Sequence, residues 1–428
     1  MEDKIDQLDI QNYKEEIQLC GIRLAKEKAN NFIEQHRKFI FEKTHFNKVV
    51  NLGKIDGVDL RLILLKQDFQ EQDFPEKWPK DLVDDIQKSS FQIVTQKYVL
   101  TLDNYSSLEF LTKFLPSEVP IPTGYEIVGH IAHFNLTQEQ LPYKKIIGET
   151  ILHKNKCIKT VVNKLEKLHN VYRTPELEVI AGENNLETIH KEGKFIFHLN
   201  FEKVYWCSRL QVERDRVLSF LKPKQTVLDL FCGVGPFSIR AAKMGCYVIC
   251  NDLNPHSYDY LLINRMKNRV EDKLLCFNND ARKVVDKILN PISVKNYPKN
   301  FQHFDHVYMN LPVNNIEFCD VFLGLLRKSD PEIWKTDNLP IIHATGFIKQ
   351  NSEEDCITEI ELRIKKTLPN FRKEQILQFQ VIKNVNPHLQ MFCISFPLSI
   401  EDANSDPSKT YQYIQPERED ESLPLNNE

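Results

Sequence analysis

The second half of the chain alternates short apolar runs with longer stretches of helical periodicity. The strand-like runs lead into polar residues and lie at 227–229, 247–252, 274–281, 306–312 and 341–344. Helical patterns follow at 236–244, 255–268, 281–289, 314–328 and 352–367. Strands that alternate with helices in this way predict a doubly wound α/β sheet. Two further apolar runs, 375–383 and 389–396, predict an antiparallel pair of strands at its end.

The first 205 residues have a mixed pattern that predicts two smaller α+β domains. A helical pattern at 17–41 and strand-like runs at 60–65 and 92–101 predict an N-terminal domain over 1–115. The next elements are a strand-like run at 125–136, a helix at 143–153 and strands at 157–162, 177–181, 185–193 and 194–200. They predict a middle domain over 116–205. The sheet domain would then span 206–400, and the acidic composition of 401–428 is typical of a disordered tail.

Polar residues at the ends of the predicted strands outline a nucleotide pocket. Asp229 is followed by a Gly-Val-Gly loop at 233–235, and Ser238 stands where the dinucleotide fingerprint has its third glycine. A ligand without a pyrophosphate is therefore indicated, with glycines that let the backbone approach it closely. Asp252 is predicted to hold ribose hydroxyls and Asp280 the adenine amino group, which suits S-adenosylmethionine. The alternative is that these acids only cap strand ends.

The charge distribution is uneven along the chain. The net charge is −4, but residues 401–428 contain eight acids and two bases, so this tail carries −6 and the remaining 400 residues carry +2. The segment from Lys144 to Arg173 contains eight basic and two acidic residues, a local excess of +6. This basic patch predicts contact with nucleic-acid phosphates, and a solvated helix face is the alternative interpretation.

Cysteine usage and the absence of sorting signals indicate the compartment. Ten cysteines occur without a CxxC pair, which favours free thiols in a reducing environment. No apolar run has the length of a membrane span, and residues 1–10 do not resemble a signal peptide. We expect a protein of the cytoplasm and nucleus without a membrane partner, and the mitochondrial matrix stays open. For His130 and His133 we expect a core or interface role, and we predict no metal ligands.

A series of short motifs occurs in one order between residues 115 and 400. The motifs are Val128-Gly129-His130-Ile131-Ala132-His133, Tyr143-Lys144-Lys145-Ile146-Ile147-Gly148, Asn184-Asn185-Leu186, Arg209-Leu210 with Glu213-Arg214, Phe231-Cys232-Gly233-Val234-Gly235-Pro236-Phe237, Asn251-Asp252-Leu253-Asn254-Pro255 and Asn310-Leu311-Pro312. Their order resembles that of the eukaryotic and archaeal tRNA (guanine-37-N1) methyltransferases. The resemblance implies a class I methyltransferase fold in a three-domain monomer, with S-adenosylmethionine as cofactor. It implies methyl transfer to N1 of guanosine 37 in tRNA, with the N-terminal domain touching the tRNA far from the anticodon.

The resemblance also implies residue roles. Arg209 is the candidate for stabilising negative charge at guanine O6, which a guanidinium can do well. Asn310 would hold the flipped base, and Pro312 would stiffen the turn beneath it. The proton acceptor stays open between Asp252 and Glu213. The predicted cofactor-binding residues are Arg214, Asp229, Gly233, Gly235, Asp252, Leu253, Asp280, Ala281 and Asn310.

Some positions depart from the family pattern, and other functions stay open. Ser208, Val212 and Cys232 stand where the family usually has proline, threonine and alanine. One alternative is transfer of the aminocarboxypropyl group of the same cofactor to a modified guanosine. Another is a tRNA-binding relative without catalysis. A methyltransferase for small molecules would leave the roughly 200 residues before the sheet domain without a role.

Overall fold

A computed structural model describes residues 9–10, 12–165, 172, 174–311, 315–386 and 388–406. The chain divides into two compact units. The first unit comprises Met1–Tyr125, Leu136–Val161 and Val179–Glu183, and the second comprises Glu126–Asn135, Val162–Glu178 and Asn184–Glu428. The three domains predicted from the sequence stay predictions, and most of the predicted tail lies outside the described residues. Within the described ranges, no helix has the length and apolar character needed to cross a membrane.

The first unit contains an antiparallel sheet covered by helices. Its strands are β1 (Lys14–Ala25), β2 (Val49–Ile55), β3 (Val58–Leu64) and β4 (Gln92–Thr101), in the order β2-β3-β1-β4. Its helices include α1 (Lys26–His36), α2 (Lys80–Lys88) and α3 (Ser107–Phe114). Phe32 of α1 and Leu82 of α2 are buried with Trp78 in one apolar core. The burial of these large side chains stabilises the helices against the sheet.

The helix predicted over 17–41 is wrong for its first part. Residues 17–25 belong to β1, which pairs with β4 from Lys14 opposite Thr101 to Arg23 opposite Gln92. Apolar or small residues are buried at 17, 19–22 and 24 because both faces of this strand are covered. That spacing is also typical of a helix, so periodicity alone predicts the wrong element. The helix begins at Lys26.

The middle of the chain forms a second four-stranded sheet. It consists of β5 (Glu126–Val128), β6 (Ile131–Phe134), β7 (Thr160–Leu165) and β8 (Glu176–Gly182), in the order β5-β6-β7-β8, and α4 (Lys144–Lys154) precedes β7 in sequence. The single strand predicted at 125–136 is a hairpin instead. Gly129 has a φ of +60°, a left-handed conformation that lets the chain reverse there.

The second unit holds a hairpin and the large sheet. The hairpin is β9 (Glu187–Glu192) with β10 (Phe195–Asn200), and α5 (Gln211–Leu218) follows it. The sheet strands are β11 (Thr226–Asp229), β12 (Tyr247–Asn251), β13 (Leu274–Phe277), β14 (His306–Met309), β15 (Ile341–Lys349), β16 (Gln378–Asn386) and β17 (Leu389–Pro397). The remaining helices are α6 (Ser238–Lys243), α7 (Pro255–Lys267), α8 (Ala281–Leu289), α9 (Leu325–Lys328), α10 (Glu353–Lys365) and α11 (Ile400–Ala403).

The large sheet has the order β13-β12-β11-β14-β15-β17-β16. The five strands β11 to β15 are parallel, and β17 and β16 complete the sheet in antiparallel fashion. The predicted doubly wound sheet and its terminal antiparallel pair are therefore confirmed. The strand order reverses between β11 and β14, and ligands of such sheets bind at this switch point beyond the carboxyl ends of the strands.

One predicted helix of this unit is shorter than expected. The pattern at 314–328 predicts one helix, but the chain forms a 3₁₀ helix at Ile316–Phe322 and then the short α9. Gly324 between them has a φ of +68°, which interrupts a right-handed helix. Asn314 lies outside the described residues.

Two asparagines of α7 join the hairpin to the sheet layer. The side chain of Asn264 donates to the carbonyl of His198 at 3.0 Å and accepts from its amide at 2.7 Å. Asn268 makes the same two bonds to Ile196, at 2.7 and 3.1 Å. These four bonds satisfy the free edge of β10, so the hairpin is an integral part of the second unit.

Candidate active site

The loop after β11 is shaped by its two glycines. Gly233 and Gly235 have φ values of +54° and +92°. A Cβ added at Gly235 would lie 2.6 Å from Cδ1 of Leu261, whereas a Cβ at Gly233 would enter open space. Gly235 is therefore required for packing against α7, and Gly233 leaves a backbone surface that a ligand can approach.

Asp252 follows β12 and is bound to this loop. One carboxylate oxygen accepts from the Gly233 amide at 2.8 Å, and the other accepts from the Asn254 amide at 2.9 Å. Burial raises the pKa of Asp252 to about 6, although both backbone hydrogen bonds oppose the shift. The carboxylate therefore sits at the pocket edge with lone pairs left for a ligand, as a ribose site requires.

Asp229 ends β11 and is more deeply buried. Its Oδ2 accepts from the Ser238 hydroxyl at 2.6 Å, and its Oδ1 is buried without a hydrogen-bond partner among the described residues. Burial raises the pKa of Asp229 to about 7. The Ser238 bond and the nearby backbone amide of Phe231 oppose this shift, and the negative charge of Asp252 adds to it. A buried acceptor without a partner is unfavourable unless a ligand supplies a donor.

The third acid, Asp280, caps a helix. Its Oδ1 accepts from the backbone amides of Arg282 and Lys283 at 2.9 and 3.4 Å, and α8 begins at the next residue, the buried Ala281. Asp280 is therefore the N-cap of α8, which differs from the strand-end cap considered as the alternative, and its role at adenine stays a prediction. Leu253 is 45% exposed, so it is accessible to a planar ligand.

Asn251, for which the sequence predicted no role, connects the loops that carry these acids. Its side-chain amide donates to the carbonyls of Leu230 and Asn279 at 3.2 and 3.0 Å, and its oxygen accepts from the Asn279 amide at 3.1 Å. The loops after β11, β12 and β13 are therefore held together before any ligand binds. The position of Asn251 at the end of an apolar strand was the available signal.

Arg209 lies on a 3₁₀ turn at Ser208–Leu210 before α5. Its Nε donates to Oε1 of Glu126 on β5, and 58% of its side chain is exposed. Glu126 faces His133 across the β5–β6 hairpin. The predicted catalytic arginine thus forms a surface ion pair while its guanidinium remains accessible.

Glu213, one of the two candidate proton acceptors, is engaged with a neighbouring arginine. Arg216 donates to its two oxygens at 2.6 and 2.8 Å, and the Glu213 side chain is 4% exposed. A carboxylate in a bidentate pair still has two lone pairs for other donors. The pairing therefore orients Glu213 but does not exclude it as an acceptor.

Arg214, the next residue, is buried with Glu192 at the end of β9. Its Nη2 lies 2.6 Å from Oε1 of Glu192. The guanidinium carbon also lies 5.7 Å from the ring centre of Trp206, a cation–π contact. Sequence reasoning missed Glu192, because no local pattern marks the partner of a residue 22 positions away.

Asn310 directly follows β14. Its Oδ1 accepts from the hydroxyl of Thr345 at 3.3 Å, and Asn315 donates to the same hydroxyl at 3.0 Å and to the carbonyl of Met309. These contacts fix the side chain at the carboxyl end of the strand. Pro312, which was predicted to stiffen the turn, lies outside the described residues.

The two histidines considered for metal binding have other contacts. His130 bonds the Thr188 hydroxyl at 3.0 Å and the Asn185 carbonyl at 3.2 Å. His133 packs against Phe201, and burial lowers its pKa. Across the described ranges, no group of three or more His, Cys, Asp or Glu residues has the arrangement of a metal site.

The structure thus brings Asp229, Gly233 and Asp252 together beyond the carboxyl ends of β11 and β12, beside the switch point of the sheet. Asp280 and Asn310 follow strands of the same sheet, and Arg209 and Glu213 lie on the turn and helix before β11. The chemical roles of these residues stay predictions.

Known proteins give an independent comparison. The TRM5/TYW2 methyltransferase domain matches residues 188–330, and the TYW2 N-terminal domain matches residues 108–185. A tRNA (guanine(37)-N(1))-methyltransferase of Paramecium tetraurelia is 47% identical over 339 residues, which cover 78% of each chain. The enzyme of the same name from Phytophthora infestans is 32% identical over 96% of this chain and 97% of its own.

Solved structures agree with the fold. Trm5b from Pyrococcus abyssi is 25% identical with a TM-score of 0.55, over 89% of this chain and 99% of its own. An aTrm5 structure in complex with tRNALeu has a TM-score of 0.60 at 22% identity, over 89% of this chain and 100% of its own. The second likeness concerns the fold alone.

The sheet and its strand-end pocket place the chain among the class I methyltransferases that use S-adenosylmethionine. With relatives 32–47% identical over most of its length, it belongs to the tRNA (guanine(37)-N(1))-methyltransferase family. The family, enzyme class, fold class and cofactor predicted from the sequence are confirmed.

Proposed function

We propose that this protein transfers a methyl group from S-adenosylmethionine to N1 of guanosine 37, next to the anticodon of tRNA. One observation carries the proposal: Asp252 is bound to the glycine loop at the switch point, in a chain 47% identical to a tRNA (guanine(37)-N(1))-methyltransferase. The family membership names the reaction, and the pocket supplies the groups that the cofactor needs.

The residues of the pocket fit the cofactor. Asp252 accepts the ribose hydroxyls, Gly233 gives room for close backbone contact, and the unpartnered Oδ1 of Asp229 accepts a donor from the ligand. Asp280 faces the adenine amino group, next to the exposed Leu253 and the first residue of α8, Ala281. When bound, S-adenosylmethionine supplies a methyl group activated by its sulfonium.

Arg209 stabilises the reacting base. N1 of guanine carries a proton at neutral pH, and its removal places negative charge on O6. A guanidinium near O6 stabilises that charge and matches the guanine edge by hydrogen bonding. The exposed Arg209 side chain exchanges its bond to Glu126 for this contact when the base enters.

Asn310 and an acidic residue complete the chemistry. The amide of Asn310, fixed by Thr345, hydrogen-bonds the flipped base. Glu213 accepts the N1 proton through a lone pair not used by Arg216, and Asp252 is the alternative acceptor. Both carboxylates are ordered by contacts inside the second unit, so little reorganisation is needed when the base arrives.

The substrate is tRNA bound by a monomer. The basic patch between Lys144 and Arg173 supports contact with the phosphate backbone, although 166–171 and 173 lie outside the described residues. We place the enzyme in the cytoplasm and nucleus, with the mitochondrial matrix open, because its cysteines suit a reducing compartment. Light scattering of the purified protein and imaging of a tagged chain test these two statements.

A second candidate reaction has one supporting observation. The match of residues 108–185 is to the TYW2 N-terminal domain, and aminocarboxypropyl transfer uses the same cofactor. The relatives that match most of the chain are named as methyltransferases, which favours methylation.

The test uses S-adenosylmethionine labelled in either the methyl or the carboxyl group. Each is incubated with the protein and an unmodified tRNA that carries guanosine 37, beside the same tRNA with adenosine there. Methyl label at N1 of the guanosine substrate alone supports the proposal. Carboxyl label in tRNA would assign aminocarboxypropyl transfer, and neither label with cofactor still bound would indicate a binding protein.

Arg209→Ala separates chemistry from binding. We expect kcat to fall about 100-fold or more, because the removed cation acts mainly in the transition state, while the affinity for S-adenosylhomocysteine stays unchanged. Arg327→Ala, an exposed arginine of α9, is the matched control. Equal losses in both variants would remove Arg209 from the mechanism.

A further inference from the structure

The ion pair between Glu192 and Arg214 is unusually well buried. Glu192 ends β9 of the hairpin and Arg214 lies on α5, and their side chains are 1% and 4% exposed. Burial of two charges carries a large desolvation cost that their attraction offsets only when the geometry is good. The 2.6 Å contact meets this condition for one oxygen and one nitrogen. A pair at this depth calls for a role beyond stability.

The pair is also incomplete. Oε2 of Glu192 and Nε of Arg214 are buried and have no hydrogen-bond partner within the described part of the chain. Among the described residues, the guanidinium makes one further bond, a long one from Nη1 to the Cys207 carbonyl at 3.4 Å. Because buried polar groups are almost always bonded, these free atoms point to a polar ligand.

Two neighbouring groups share this property. Oδ1 of Asp229 and the hydroxyl of Tyr308, on the adjacent strands β11 and β14, are also buried without a partner among the described residues. Asp229 and Tyr308 are directly paired between these strands. Burial raises the pKa of Tyr308, and the positive charge of Arg214 opposes this shift, which places Arg214 within electrostatic reach of the phenol. The unpartnered atoms of this cluster belong to a cation, a phenol and two carboxylates.

This combination complements an amino-acid head group. A guanidinium binds a carboxylate, and a buried carboxylate oxygen accepts from an ammonium. The methionine moiety of S-adenosylmethionine carries both groups, and Asp229 already borders the cofactor pocket. Arg214 presents its remaining N–H groups to the head group only if its guanidinium is held in one orientation.

We propose that Glu192 is a positioning residue for the cofactor, which holds Arg214 so that the guanidinium receives the carboxylate of the methionine moiety. The inference rests on the proposed use of S-adenosylmethionine and deepens it. Glu192 acts through Arg214 and does not touch the reacting atoms. The β9–β10 hairpin thereby contributes to cofactor recognition from outside the large sheet.

The experiment compares two ligands by calorimetric titration of the full chain. S-adenosylhomocysteine carries the amino-acid head, and 5′-methylthioadenosine has the same nucleoside and thioether without it. For Glu192→Gln we expect about a tenfold loss of affinity for S-adenosylhomocysteine and a change below about twofold for methylthioadenosine. Arg214→Ala should show the same selectivity, and the double variant should bind no more weakly than Arg214→Ala.

A matched control tests whether any broken buried pair has this effect. Glu317 pairs with Arg363 at 3.1 Å in the same unit, and its Oε2 is likewise buried without a partner in the described residues. Glu317→Gln should leave both affinities unchanged. Thermal melting checks folding, and Glu192→Asp replaces Glu192→Gln if the latter does not fold, with the same selective loss expected because its carboxylate is too short for Arg214.

The outcomes separate the two proposals. Equal weakening of both ligands by the Glu192 variants would show a merely structural role, and no weakening would remove the role altogether. Either result leaves the proposed function standing if the wild-type protein binds S-adenosylhomocysteine. If the wild-type protein binds neither ligand, the proposed function and the inference both fail.

Discussion

At the scale of single residues, Asp252 makes the pocket sensitive to pH. Its pKa of about 6 in the free protein means that the carboxylate is half ionised in mildly acidic solution. The ionised form is the better acceptor for two ribose hydroxyls, so ligand binding favours it. We expect the affinity for S-adenosylhomocysteine to rise about tenfold between pH 5 and pH 7 and then to level off, as measured by calorimetry.

The variant Asp252→Asn isolates this effect. It keeps the shape of the side chain but cannot ionise, so its affinity should be low and nearly independent of pH over the same range. Asp229 also has a raised pKa and borders the pocket, so it is the competing explanation. If the affinity of Asp252→Asn still rises between pH 5 and pH 7 as in the wild-type protein, Asp229 is the group that titrates.

The sequence reveals the residues of a site better than their partners. Asp229, Asp252 and Asp280 were found because each follows an apolar run, which is a local signal. Glu126 and Glu192 bind their arginines from positions 83 and 22 residues away, and no local pattern marks such pairs. The sequence pattern suggests at most a strand-end cap for Asp280, and only the backbone of α8 reveals that it caps a helix.

At the scale of elements, the β5–β6 hairpin depends on Gly129. A Cβ at this position would lie 2.0 Å from the Thr188 hydroxyl and 2.7 Å from the backbone oxygen of Ile189, and φ is +60°. We expect Gly129→Ala to lower the free energy of unfolding by about 3 kcal/mol, since it combines backbone strain with a clash against a neighbouring strand. Urea unfolding followed by tryptophan fluorescence measures this change.

Gly193 provides the control in the same unit. It turns between β9 and β10 with a φ of +59°, but a Cβ there would meet nothing within 4 Å. Gly193→Ala should therefore lower the free energy of unfolding by about 1 kcal/mol, through backbone strain alone. If both variants lose the same amount, the contact between Gly129 and Thr188 does not constrain the hairpin.

A chain of hydrogen bonds crosses three strands of the large sheet. Nδ1 of His306 on β14 lies 3.1 Å from Nε2 of His343 on β15, and Nδ1 of His343 lies 2.8 Å from the Ser395 hydroxyl on β17. Burial lowers the pKa of both histidines, so both stay neutral in the folded state where the unfolded chain takes up protons.

Acid should therefore weaken the second unit. Because the folded pKa values lie below the unfolded value of about 6.5, the free energy of unfolding is unaffected above that pH and falls below it. We expect a loss that can reach at most about 1 kcal/mol for each histidine between pH 6.5 and 5.5, the larger part from His343, whose pKa is lowered further. His343→Gln should reduce this slope in urea titrations, whereas the exposed His256→Gln should not; equal slopes would exclude the histidine chain as the cause.

The elements that the sequence predicts well are the parallel strands of the large sheet and the helices that cover it. Parallel strands covered on both sides appear as continuous apolar runs between amphipathic helices. The sequence pattern therefore predicts how many there are and where each lies along the chain. The errors fell where a covered antiparallel strand resembles a helix, at 17–25, and where one glycine breaks a run, at Gly129 and Gly324. Pairing partners and left-handed glycines are tertiary information that periodicity does not contain.

At the scale of the whole molecule, the basic patch predicts how tRNA is held. Lys156 and Lys159 are exposed and lie within it. Their replacement by glutamine should weaken tRNA binding and reduce the slope of log affinity against log salt by about 2, because two fewer counterions are released. Filter binding over a series of salt concentrations measures both quantities.

Two other exposed lysines, Lys335 and Lys349 of the second unit, serve as the control. Their double replacement by glutamine keeps the same net charge change and should leave the salt slope as it is. The affinity for S-adenosylhomocysteine should be unchanged in all variants. Equal slopes in the two double variants would mean that net charge, and not the patch, governs binding.

The four hydrogen bonds between the side-chain amides of Asn264 and Asn268 and the backbone of β10 bear on how the enzyme can be shortened. A fragment that starts at the turn before α5 would leave the side-chain amides of Asn264 and Asn268 without their β10 partners, and it would keep Arg214 but lose the Glu192 carboxylate bound to it. An autonomous catalytic fragment must therefore begin before Glu187. A truncated variant made for protein engineering should therefore retain the β9–β10 hairpin together with the large sheet, with the truncation placed before both.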